Sequence, residues 1–114
     1  MSDKRRQKRV PLDIYLNKYV GGVPYMARTA DISPEGMRLA RLIEPEHRGR
    51  RVGLQFQLPG TDEVIYAEGE VVREWAEARA EAGTPSGSGV RFTLLTERHR
   101  RLIDAYVERN DEAR

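Results

Sequence analysis

Cysteine is absent from these 114 residues, so neither a disulfide framework nor a thiolate metal site can form. The absence is compatible with a reducing cytoplasm, the expected location. Histidine is scarce. His47 and His99 are far apart and flanked by Arg48 and Arg98, poor surroundings for a metal, and both read as plain surface side chains. Aromatic residues make up only 7%, too few for an evident base-stacking platform. No apolar run approaches the roughly 20 residues of a membrane helix, so no membrane insertion is expected. None follows the basic N-terminus either, so no secretory signal is read. A nucleophile–base pair, a phosphate-cradling glycine loop ahead of a helix and a metal-ligand cluster are also missing; no enzymatic activity and no cofactor is expected.

What is present suits one domain with a modest core: 39% hydrophobic and 33% charged residues. The net charge of +2 hides a polarised layout, because Lys4, Arg5, Arg6, Lys8 and Arg9 crowd the start. Residues 1–9 therefore read as a flexible basic arm, 10–110 as the folded domain and 111–114 as a tail. Val10 to Tyr19 alternates Val10, Leu12, Ile14 and Leu16 against polar neighbours, the period of a half-buried strand. Gly21-Gly22 breaks it as a hairpin turn would, and Val23 to Ile32 returns. After the turn at Pro34-Glu35-Gly36, Met37 to Leu42 alternates again; Glu44 to Arg51 reads as a loop. Val52 to Leu58 presents Val52, Leu54, Phe56 and Leu58 on one face, and Pro59-Gly60-Thr61-Asp62 is a turn.

Val64 to Trp75 is a long strand bent at Gly69, Ala76 to Ser88 an exposed, mobile loop, and Gly89 to Leu95 a last strand. Only then does the period change. Thr96 is placed to cap a helix whose Leu102, Ile103, Tyr106 and Val107 form one apolar stripe. The fold class is mainly β: about six short antiparallel strands closing into a small barrel, which removes exposed edges, with a C-terminal helix over one opening.

Two motifs stand out on this pattern. An R-x-x-x-R pair, Arg5 and Arg9, precedes the first strand, and a D-x-S-x-x-G segment, Asp31, Ser33 and Gly36, follows the second. With Gly89-Val90-Arg91-Phe92 ahead of the terminal helix, the chain resembles a stand-alone PilZ domain from roughly Lys4 to Tyr106. Both family motifs are complete. The resemblance implies a six-stranded barrel that binds the bacterial second messenger cyclic di-GMP through Arg5, Arg9, Asp31, Ser33 and Gly36.

The residue types fit that ligand. Arginine's planar fork pairs bidentately with a phosphate or with guanine O6/N7. Asp31 can accept from guanine N1–H and N2–H2. Ser33 can bond a phosphate oxygen or brace the turn. Gly36 supplies a positive φ or a close backbone approach that a Cβ would block. Arg6 competes with Arg5 as donor, and Trp75 is a further candidate, stacking on a guanine or simply packing at a strand end. Ordering Arg5 to Arg9 costs about 5–10 kcal/mol of backbone entropy, against about four charge-assisted bonds at about 1.5–3 kcal/mol each. The arm's grip only just offsets its ordering, so contacts on the barrel must supply the surplus.

Three readings follow. The first is a cyclic di-GMP receptor that signals through ligand-dependent contact with an effector protein, as a monomer or homodimer. The second is a PilZ-type adaptor working by protein contacts without nucleotide, with motility or pilus machinery as partner on family grounds. The third, nucleic-acid binding through the arm, needs a basic face or aromatic platform that the strand pattern lacks.

Overall fold

Alternating side chains become a barrel because each strand can bury one face only if the sheet closes on itself. The computed structural model describes residues 8–40, 51–75 and 87–112. Among these residues it contains β1 (Val10–Pro11), β2 (Tyr15–Val20), β3 (Val23–Ser33), β4 (Gly36–Ala40), β5 (Arg51–Phe56), β6 (Ile65–Trp75), β7 (Gly87–Leu94) and α1 (Glu97–Glu112). Antiparallel pairing runs β3–β2–β5–β6–β7–β4 and returns to β3, a closed ring of six strands; β1 is an extra strand on β3. The mainly β barrel with a C-terminal helix is therefore as expected.

Inside the ring, Val52, Leu54, Phe56 and Leu58 are all buried, as their spacing requires, together with Ile32, Met37, Ile65 and Val90. The hairpin at Gly21-Gly22 has φ of 59° and 83°, the double positive value that glycine supplies without strain. At Gly69, where the sequence suggests a bend, the register of β6 to β7 shifts between Glu68 and Gly69.

Three expectations are corrected. The single strand Val10 to Tyr19 is broken: β1 and β2 are separated at Leu12–Ile14. Thr29 on β3 bridges the gap. Its hydroxyl donates to the Leu12 carbonyl at 2.6 Å and accepts from the Ile14 N–H at 3.0 Å. Gly87 and Ser88 are strand rather than loop, because β7 pairs with β4 on one side and β6 on the other from Gly87 onward. The remainder of that loop, residues 76–86, and the Glu44 to Arg50 loop lie outside the described residues, as do Arg41 and Leu42; Arg51 opens β5.

Thr96 caps α1 as its sequence position demands. Its hydroxyl accepts from the His99 N–H at 3.1 Å, and its carbonyl from the Arg100 N–H at 2.9 Å. Ile103, Tyr106 and Val107 join the barrel core. Arg98 fixes the first turn of α1 to the β5–β6 connection by donating to both carboxylate oxygens of Glu63, at 2.7 to 3.0 Å. Those hydrogen bonds hold the Glu63 carboxyl below the usual range. The third correction concerns His99, which is not a plain surface group: its Nδ1 faces the Tyr66 N–H at 3.4 Å, and its Nε2 lies 3.5 Å from Glu63.

Candidate ligand-binding site

β3 would hide its aspartate if it alternated strictly. Thr29 is buried and points inward, so Asp31, two residues on, should point inward as well. A bulge between Thr29 and Asp31 inserts Ala30 and resets the phase. Asp31 consequently faces out beside Arg38 of β4, while Ile32 turns into the core opposite Met37.

The start of the described chain reaches the same place from the other side. β1 lies on β3 with Val10 opposite Ile32 and Pro11 opposite Asp31, which delivers Arg9 to the aspartate. Arg9 Nη1 donates to Asp31 Oδ1 at 2.7 Å, and Arg38 Nε approaches Asp31 Oδ2 at 3.2 Å. The carboxylate is thus held between two guanidinium groups and is only 19% exposed. Lys8, the preceding residue, pairs with Glu108 of α1 at 3.3 Å.

Ser33 and Gly36 close the β3–β4 hairpin and face each other across it. Ser33 is fully buried. Its hydroxyl accepts from the Glu35 N–H at 3.2 Å and lies 3.4 Å from the Gly36 carbonyl, so it braces the turn from inside. Gly36 is not among the positive-φ glycines, which among the described residues are Gly21, Gly22 and Gly60. Close approach is what requires it: a Cβ there would collide with the Val90 carbonyl oxygen on β7.

Arg9, Gly36 and Arg38 line a cleft of about 340 Å³, with Val72 and Arg91 on the opposite side and Glu35 at the turn. Larger clefts of about 410 and 550 Å³ lie on other walls, around Tyr19–Gly53–Tyr66 and Tyr15–Met26–Val64. The first carries Arg51 beside Glu68 and the second no charged residue, so of these three clefts the smaller, with Arg9, Arg38 and Arg91, is the best equipped for an anionic ligand.

Arg9, Asp31, Ser33 and Gly36 are therefore brought together, with Ser33 beneath the surface. Arg5 and Arg6 lie outside the described residues. Trp75 ends β6 opposite Gly87, but its side chain is likewise outside the description. Arg38 and Arg91 belong to the cleft and were not singled out as site residues from the sequence. Arg38 was within reach of that reading, since it stands two residues after Gly36 on an alternating strand. Arg91 was not, because its place depends on the register of β7 against β4.

The architecture is thus a closed six-stranded barrel with an arginine-lined cleft on its outer wall. Among the described residues there is no cluster able to hold a metal ion, and no helix long and apolar enough to cross a membrane. The chain belongs to the PilZ domain family, whose profile matches residues 3–109. PilZ is a ligand-binding and adaptor family rather than an enzyme family.

Solved structures share the fold at low identity. The Bacillus subtilis inhibitor of motility (MotI/DgrA) is 14% identical with a TM-score of 0.82. The alignment covers 99% of this chain and 54% of that one, so this chain spans about half the length of that relative. The PilZ domain of Escherichia coli YcgR, solved with c-di-GMP, is also 14% identical, with a TM-score of 0.70 and coverage of 97% and 94%. A search of the curated proteins finds no match.

Proposed function

We propose that this protein is a cyclic di-GMP receptor that signals by ligand-dependent contact with a partner protein. One observation carries the reading: Arg9 and Asp31, 22 positions apart and drawn from the two motifs, are hydrogen-bonded at 2.7 Å on the rim of a cleft floored by Gly36. That contact sets the last residue of the arginine motif before any ligand arrives. Part of the ordering cost of the arm is thereby met within the free protein.

Each residue has a role in this reading. Arg5 and Arg9 pair with phosphate or with guanine O6/N7, and Asp31 accepts from the guanine N1–H and N2–H2 edge. Gly36 leaves bare backbone for a flat ligand, while Ser33 keeps the hairpin in shape from below. Arg6 and Trp75 are further candidate contacts. The arm closing over the cleft would make a new surface, and that surface is what a partner reads. The YcgR domain solved with c-di-GMP and the inhibitor of motility both support this direction.

Calorimetric titration of the full chain with cyclic di-GMP, with GTP, GMP and cyclic di-AMP as controls, tests the proposal. Saturable binding of cyclic di-GMP alone is expected. No heat from any of the four, or equal response to GTP, would remove the receptor reading and leave the protein-contact adaptor.

A further inference from the structure

We propose that Arg91 is an additional phosphate-binding group of this cleft, and that Glu70 is a built-in competitor which occupies Arg91 until the ligand arrives. The inference rests on the cyclic di-GMP reading and names residues that neither motif contains.

Three strands place the pair. Arg91 on β7 lies directly opposite Gly36 on β4 and directly opposite Glu70 on β6, so Gly36, Arg91 and Glu70 form one row across the sheet. The first member of that row has no side chain, and adding one would meet the Val90 carbonyl. Arg91 is left beside bare backbone, in the same cleft as Arg9 and Arg38. A guanidinium next to an open strip of peptide can reach an anion lying flat on the hairpin.

Glu70 already supplies an anion. Arg91 Nη2 donates to Glu70 Oε1 at 2.7 Å, with the side chains 56% and 40% exposed. An ion pair so open to solvent is weakly held. Glu70 holds Arg91 through one hydrogen bond, so a phosphodiester that accepts two bonds from the guanidinium fork can displace the carboxylate. Exchanging a carboxylate for a phosphate keeps the charge on Arg91 compensated in both states. The carboxylate fills the position without supplying affinity, so it lowers the apparent strength of ligand binding. Removing it should strengthen binding.

The test is calorimetry with cyclic di-GMP on wild type, R91A, R91K and E70Q, each checked for an unchanged melting transition. R91A should bind about fivefold or more weakly, and R91K should fall between R91A and wild type because it keeps charge but loses the fork. E70Q should bind about two- to fivefold more tightly. Wild-type affinity in R91A, or no gain in E70Q, overturns the inference while leaving the receptor reading intact. Absence of binding by wild type strikes the receptor reading instead. The inference is then decided by titrating inorganic pyrophosphate against the backbone amide resonances of Gly36 and Arg91. Saturable shifts that R91A abolishes support it; unmoved resonances overturn it.

Discussion

Asp31 has its two carboxylate oxygens against two different arginines, Arg9 and Arg38, and its orientation depends on both. Removing Arg9 takes away the proposed ligand donor and also one of the two arginines that steady the aspartate. Arg9→Ala is expected to weaken cyclic di-GMP binding at least about tenfold, the equivalent of one charge-assisted bond. Calorimetry that finds wild-type affinity would count against the assigned role. Gly36→Ala makes a different point. Its methyl group must push back β7 at Val90, so a loss of about 1–3 kcal/mol of stability is expected as well as lost binding. A thermal melt reads the first effect, and a variant as stable as wild type would contradict the close-approach account. At this scale the sequence offered two reasons for Gly36 and two for Ser33. It could not choose between them, because the choice rests on what β7 and the hairpin interior bring near.

Elements show where alternation informs and where it misleads. β5 was legible from Val52, Leu54, Phe56 and Leu58, since a buried strand against two neighbours needs nothing beyond its own period. The break between β1 and β2 was invisible for the opposite reason: period two continues through Leu12 and Ile14, and the repair comes from Thr29 on another strand. Thr29→Val keeps the shape but leaves the Leu12 carbonyl and the Ile14 N–H without their partner. A loss of about 1–3 kcal/mol in urea unfolding is expected; a neutral result would mean the bridge is dispensable. Gly87 and Ser88 read as loop by composition, yet two-sided pairing makes them strand. α1 carries a pH dependence through Glu63. Arg98 depresses that carboxyl in the folded state, so its contribution is full above the ordinary Glu value of about 4.3 and is lost as pH falls through the lower folded value. The difference in melting temperature between wild type and Arg98→Ala should therefore narrow as pH drops below about 4.3. A gap that stays constant in acid would contradict the pairing.

The whole molecule separates two walls. The ring order puts β5 across the barrel from β4, so Gln55 and Tyr19, joined by a hydrogen bond of 3.2 Å, stand away from the arginine cleft. Closure of the sheet and the family were legible in the sequence because motif order and strand spacing agree. The composition of the cleft was not, since Arg38 and Arg91 enter it through cross-strand register. The separation of walls makes the central claim directly measurable: cyclic di-GMP titrated into the ¹⁵N-labelled full chain, followed amide by amide. Arg9, Asp31 and Gly36 are expected to shift and saturate together while Tyr19 and Gln55 hold still. Saturation at Tyr19 and Gln55 with the cleft unmoved, or no shift anywhere at excess ligand, would contradict it.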